Sequence, residues 1–270
     1  MITPTPNAAS AVTLAIGGHD PSGGAGIQAD IEAIAALGGH ATSAITCLTV
    51  QDTCNVQQLI PIDPKVVIAQ AEAVLADLPI NAVKMGLIGD AAVAHALAQL
   101  LAQHPAIPVI IDPVLAAGGG TPLASDKLKQ TLLQELLPLT YLLTPNSNEA
   151  RTLAGATDLD ECAEILLQQG CQHLLITGTH EESTEVINNL YGAEGQINHW
   201  QWPRLPDEYH GSGCTLAAAI AALLAQGQNL TEALYQAQDF AWQSLAHAQK
   251  LGRGQALPDR HYQLKQHSHD

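Results

Sequence analysis

The chain is constrained most by an alternation. Short aliphatic and β-branched runs take turns with longer runs whose apolar residues recur every three or four positions. "VTLAIGG" (12–18) predicts a buried strand, and "GIQADIEAIAALGG" (26–39) predicts a helix with Ile27, Ile31 and Ile34 on one face, closed by glycines. Strand-like runs recur at 41–50, 80–86, 107–114, 140–145 and 173–178, with helical runs at 64–77, 90–103, 125–137, 147–154 and 159–169. Strands that alternate with helices need crossovers stacked on the sheet. The expected fold is therefore α/β, a three-layer α/β/α sandwich with a mainly parallel central sheet. After residue 180 the order changes: "EVINNLYG" and "INHWQWPR" alternate like a hairpin, and long helices follow at about 213–226 and 230–249. No linker composition or internal repeat interrupts the chain. Residues 1–270 are expected to form a single domain, with 1–10 and 260–270 flexible.

Composition excludes several partners. With 26 acidic against 10 basic residues the formal charge is −16, so no nucleic acid or anionic membrane is expected to bind, and any anionic ligand must be held locally. "MITPTPNAAS" has no basic leader, and no apolar run reaches the length of a membrane span. The five cysteines, Cys47, Cys54, Cys162, Cys171 and Cys214, are odd in number and lack a C-x-x-C pair. Reduced thiols and a cytoplasmic location follow as expectations. His261, His267 and His269 near the terminus read as a solvated end rather than a metal site.

In an open α/β sheet, ligands settle beyond the carboxyl ends of the strands, and the chain's unusual residues fall there. The first strand runs into "GGHDPSGGAG", a loop of tight turns and close backbone approach, without P-loop spacing or a dinucleotide fingerprint. Asp30 lies three residues after Ile27 and four before Ile34, on the apolar face of its helix. A buried carboxylate needs a donor, which either the protein or a ligand can supply. "LTVQDT" ends the second strand with Thr49 and Gln51 on one side, and Gln51 can both donate to and accept from a heteroaromatic edge, or simply lie at the surface. Asp112 in "VIIDPV" and Asn146 and Glu149 in "LLTPNSNEA" stand at further strand ends. They are caps and turns individually, or together a set of hard oxygen ligands for hydrated magnesium. In "HGSGCTLAAAIAALLAQG", Gly211, Ser212, Gly213 and Cys214 open a buried helix. Ser212 can cap it, and the same free N–H groups can hold an anion.

The segments "DPSGGAGIQAD", "LTVQDT", "VKMGLIGD", "IDPV", "LTPNSNEA", "HGSGCT" and "LGRG" follow one another between about residues 12 and 254. In this order the chain resembles the hydroxymethylpyrimidine and phosphomethylpyrimidine kinases of thiamine biosynthesis, a branch of the ribokinase-like superfamily. The resemblance implies a ribokinase-like fold and ATP-dependent phosphorylation of the hydroxymethyl group of 4-amino-5-hydroxymethyl-2-methylpyrimidine, then of its monophosphate. It places Asp30 and Gln51 at the pyrimidine edge, with Gly18, Thr49 and Leu87 lining that pocket. Asp112, Asn146, Glu149 and Thr177 fall around the nucleotide phosphates, with Asp112 and Glu149 on Mg2+. Gly211, Ser212 and Gly213 fall in the anion hole, with Cys214 as the base. A thiol at a helix N-terminus is expected to have a lowered pKa.

The chain also departs from the family pattern. Thr177 and Thr179 in "ITGTH" stand where a lysine and a glycine are common, a second lysine is missing from "AAGGG", and His19 replaces a serine or threonine. Lys84, Arg204 and Arg253 are the cations available to compensate. Pyridoxal or pyridoxine kinase is the alternative activity, and a non-catalytic pyrimidine-binding protein the alternative class. The resemblance also implies a homodimer, for which Trp200 and Trp202 in the hairpin are a candidate surface or, equally, a cover over the core edge.

Overall fold

Successive strand residues point alternately into two apolar layers, and this alternation builds the molecule. The computed structural model describes residues 11–266, so the start of the chain, expected to be flexible, and His267 and His269 lie outside the described residues. Leu14 and Ile16 of β1 (Val12–His19), Val83 and Met85 of β4 (Ile80–Met85) and Val109 and Ile111 of β5 (Val109–Ile111) enter one core. Their chain neighbours Ala15, Ala82 and Ile110 enter the other. The first core is covered by α2 (Pro64–Asp77), α3 (Ala91–Leu101), α4 (Asp126–Thr131), α5 (Ser147–Ala154) and α6 (Leu159–Gln168). The second is covered by α1 (Gly26–Ala36), α7 (Ser212–Ala225), α8 (Leu230–Ala246) and Tyr262 of α9 (Tyr262–Gln266). This is the expected three-layer α/β/α sandwich.

The remaining strands are β2 (His40–Gln51), β3 (Val56–Pro61), β6 (Leu142–Leu143), β7 (His173–Thr177), β8 (Glu185–Gly192) and β9 (Gly195–Pro203). All nine described strands form one sheet in the order β3-β2-β1-β4-β5-β6-β7-β8-β9. The block β2-β1-β4-β5-β6-β7 is parallel, and β3, β8 and β9 are antiparallel additions at the two edges. The order reverses at β1, which pairs with β2 on one side and β4 on the other, and open α/β sheets place their ligand crevice beyond the carboxyl ends of strands at such a point.

Helices α2 and α5 occupy the predicted spans. The predicted helix at 125–137 instead ends as α4 at Thr131 and continues through a wide turn, Leu132–Leu136, and a tight one, Leu137–Leu139. Pro138, which has no N–H to give, lies in that tight turn. Strand β3, where no element was expected, pairs its Ile60 opposite Leu48, and both are exposed. The hairpin tryptophans turn inward: Trp202 donates from Nε1 to Gln238 Oε1 on α8 at 3.1 Å, and Trp200 packs against the second core. The terminal segment expected to be flexible from residue 260 is packed at its start, with Arg260 and Tyr262 both buried.

Candidate active site

The Gly-rich loop after β1 leaves little room for side chains at Gly18, Gly24 and Gly26. A Cβ on Gly18 would meet Cys47 Sγ at 2.7 Å and Leu87 Cδ2 at 3.1 Å. Gly18 and Leu87 are therefore close neighbours, and the Leu87 carbonyl is held by the Thr46 hydroxyl at 2.6 Å. Thr49 is spent on structure, donating to the His19 carbonyl at 2.9 Å. Gln51 bonds Asp20, which also accepts from the amide and hydroxyl of Ser22, from Ala25 N–H and from His210 Nε2 at 2.9 Å. Burial would raise the pKa of Asp20, but the bonds from His210, Gln51 and Ser22 outweigh it and hold the carboxyl well below its usual range.

Asp30 is fully buried on α1, as its position among the isoleucines implied. Of the two donors left open for it, the protein supplies one: Lys84 Nζ lies 2.6 Å from Oδ1, and both side chains are wholly buried. Oδ2 is buried and has no hydrogen-bond partner. Lys84 is held protonated, because the cost of burying it is outweighed by Asp30, Cys214 and Asp112, which all face it. Of the three candidate cations only Lys84 faces these groups. Arg204 is committed to the carbonyls of Thr179, Glu181 and Ser183 after β7, and Arg253 is almost fully exposed, 3.8 Å from Asp52.

Asn146 and Glu149 form a complete capping box on α5. Glu149 N–H donates to Asn146 Oδ1 at 2.9 Å, and Asn146 N–H donates to Glu149 Oε2 at 3.0 Å. Leu115 N–H reaches the other Glu149 oxygen at 3.3 Å. Thr177 joins them through a bridge to Asn146 and donates its N–H to Pro145. Burial, followed by the nearby Asp112, pushes Glu149 up to about 8, and burial pushes Asp112 up to about 6 against the pull of Lys84. Two neighbouring buried carboxylates, one of which raises the other, suit a hard cation. Among the described residues no three His, Cys, Asp or Glu side chains converge into a cage. That donor set fits Mg2+, which keeps waters and phosphate oxygens as its remaining ligands, better than a metal bound by protein alone.

Helix α7 starts one residue earlier than predicted, and its cap is Gly211 rather than Ser212. Gly211 takes a left-handed backbone, φ 78°, and no side chain caps the helix. A Cβ there would collide with the Gly24 carbonyl, so the turn requires glycine. The N–H groups of Ser212, Gly213 and Cys214 are thus left for an anion. Gly213 approaches Asp112 so closely that a Cβ would lie 3.4 Å from Oδ2. The Cys214 thiol bonds Asp112 and the backbone of Gly26. The expected lowering of its pKa is corrected by the structure: burial dominates, and the thiol is pushed up to about 12 despite Lys84.

Gly18 and Leu87 meet beside Cys47, Gln51 lies beside Asp20, Asp30 is buried against Lys84, and Asp112 adjoins Glu149 and the mouth of α7. Asp20, His210 and Arg260 are parts of this framework that the sequence reading did not single out. Asp20 carried one local signal, the Asp-x-Ser turn of "DPS", whereas His210 and Arg260 carried none, because their partners lie 190 and up to 237 residues away.

The family model described as phosphomethylpyrimidine kinase matches residues 20–259. A hydroxymethylpyrimidine/phosphomethylpyrimidine kinase of Salmonella typhimurium is 37% identical over 256 residues, which cover 92% of this chain and 96% of that one. The structure is similar to that of a Bacillus subtilis pyridoxal kinase in complex with ADP, with TM-score 0.86 and 28% identity over 93% of this chain and 98% of the other. It is also similar to a phosphomethylpyrimidine kinase of Clostridium difficile, with TM-score 0.75 and 31% identity over 85% and 97%.

Proposed function

The chain belongs to the phosphomethylpyrimidine kinase family, and we propose that its crevice binds the aminopyrimidine so that the hydroxymethyl group faces the mouth of α7, where ATP delivers a phosphoryl group. The protein is a phosphotransferase of thiamine biosynthesis, a hydroxymethylpyrimidine/phosphomethylpyrimidine kinase. The observation that carries the proposed division of the site is the uncapped start of α7, with Asp112 beside it and the unpartnered Asp30 Oδ2 in the adjoining wall.

Asp30 Oδ2 and Gln51 bond the ring edge, and Gly18 and Leu87 close on its face. The backbone N–H groups of Ser212, Gly213 and Cys214 face the charge that develops on the transferring group. Asp112 and Glu149 would hold Mg2+, with Asn146 and Thr177 bordering the phosphates. When bound, the ion neutralises phosphate charge. The Cys214 thiol is neutral near pH 7, so it acts as base only by passing its own proton to Asp112 while it takes one from the substrate hydroxyl. Lys84 pulls Asp30 and Asp112 toward their charged forms against the effect of burial.

The test is ATP consumption with hydroxymethylpyrimidine and Mg2+, with pyridoxal as competitor and product identified by mass. Formation of the monophosphate and then the diphosphate is the expected outcome. Clear preference for pyridoxal would install the second reading, which the structural likeness to pyridoxal kinase favours. Binding without product would make the chain a pyrimidine-binding protein. We also propose a cytoplasmic location, consistent with five free cysteines, and a homodimer, for which exposed Leu48, Val50 and Ile60 on the β2–β3 hairpin offer an apolar surface; sedimentation velocity reads the mass directly.

A further inference from the structure

After α8 the chain turns back along the edge of the site. Ala256 exchanges backbone bonds with Glu208 and His210, Gln255 N–H reaches the Thr53 carbonyl, and Asp259 N–H reaches the Ser244 carbonyl. This strap delivers Arg260 into the interior, where its side chain is 1% exposed. One guanidinium then ties three elements together. Nε donates to Thr215 Oγ1 in the first turn of α7 at 2.9 Å. Nη2 donates to the Gly24 carbonyl, and Nη1 to the Gly23 carbonyl at 3.5 Å and to Glu32 of α1 at 3.0 Å. The Gly24 carbonyl is the group that a side chain on Gly211 would strike, and a Cβ on Gly24 would meet Leu257 Cδ2 at 2.7 Å. The Gly-rich loop and the anion-binding turn are thus in backbone contact, the strap packs its Leu257 side chain against the loop, and Arg260 bonds across the junction.

We infer that Arg260 is a positioning residue that sets the spacing between the ring pocket and the anion-binding mouth of α7. The inference rests on the kinase reading above. The Gly-rich loop carries Gly18 on its upstream side and Asp30 beyond it on α1, while Thr215 lies one residue past Cys214. A fork with fixed geometry that bonds both sides holds the acceptor hydroxyl at one distance from the phosphoryl group. Phosphoryl transfer is governed mainly by such alignment, and a displacement of about 1 Å can cost about 100-fold in rate.

The experiment compares the wild type with Arg260→Met, Arg260→Lys and Arg260→Ala. It measures kcat, the separate affinities for hydroxymethylpyrimidine and for a non-hydrolysable ATP analogue, and unfolding temperature. The expected result is a fall in kcat of about 100-fold for Arg260→Met, with each affinity changed by less than about threefold, below half a tenfold free-energy step. Arg260→Lys keeps the charge but not the fork, so it folds and remains slow. Methylguanidinium restores turnover to Arg260→Ala, and methylammonium at the same concentration does not. Normal kcat in the lysine variant overturns the inference even if the methionine and alanine variants fail to fold. So does a loss of either affinity that matches the loss in kcat, or equal rescue by methylammonium. Absence of product from the wild type removes the kinase reading, and this inference with it, before any variant is compared.

Discussion

At the Asp30 end of the cleft, Lys84 and Asp30 pair at 2.6 Å with both side chains wholly buried, and neighbouring Asp20 is saturated by His210, Gln51 and Ser22. At the far end, beyond β7, Arg151 meets Glu181 at 2.7 Å with each side chain about one-third exposed, and Arg204 binds three carbonyls of an exposed loop. The first region excludes water, so each of its charges depends on a particular partner. The second is solvated, so its ion pairs shape a loop at small energetic consequence. Arg151 and Arg204 are thus committed to protein acceptors and do not stand in for the lysines missing from the proposed phosphate side. Charge control falls to Lys84 beneath the site and to the N–H groups of α7.

The largest test of this contrast is Lys84→Met, which strands Asp30 in the interior. A loss of about 3–5 kcal/mol in denaturant unfolding is expected, with much of it recovered when Asp30→Leu is added. A loss below about 1 kcal/mol for the single variant would mean that the buried end tolerates solvent like the other. Next comes Cys214→Ala, for which we expect kcat to fall by about 100-fold or more, as for lost groups at a transition state, with pyrimidine affinity largely kept. Near-normal turnover would take Cys214 out of the proton path.

A smaller effect belongs to Glu149. Its folded pKa is raised from 4.5 to about 8, so the folded state holds an extra proton between those values. Stability from this group is therefore highest below pH 4.5 and falls as pH rises to about 8. Glu149→Gln should flatten that slope in thermal unfolding followed from pH 5 to 8, and an unchanged slope would assign the titration elsewhere. The smallest effect is at the exposed pair. Glu181 is held down to about 2 by the bond from Arg151, so its contribution is present above its usual 4.5 and lost as pH falls through about 2. Screening limits it to about 1 kcal/mol or less, which Glu181→Gln should remove. A larger loss would show that the far end is more tightly built than its exposure implies.

Local pattern was enough for most of the secondary structure, because helix α2 and helix α5 depend on apolar spacing and caps that lie within a few residues. Strand β3 escaped notice because Gln57 and Gln58 break its apolar run and only pairing with β2 makes it a strand. The site divides in the same way. Asp30, Asp112, Glu149 and the Gly211–Cys214 turn could be found from their places at strand and helix ends. Their protonation could not, because it is set by which charges are buried together. Cys214 shows this most directly: a helix N-terminus favours the thiolate, yet burial beside Asp112 wins and keeps the thiol.

The amino-acid sequence by itself determined the three-layer α/β architecture, the family and the residue types gathered at the cleft, since periodicity and short motifs act over a few positions. Only the tertiary structure decided that Lys84 answers Asp30, that Gly211 rather than Ser212 opens α7, and that Arg260 bonds the Gly-rich loop, α1 and α7. Each of these depends on groups far apart in the chain that meet only when the sheet and its helices close around them.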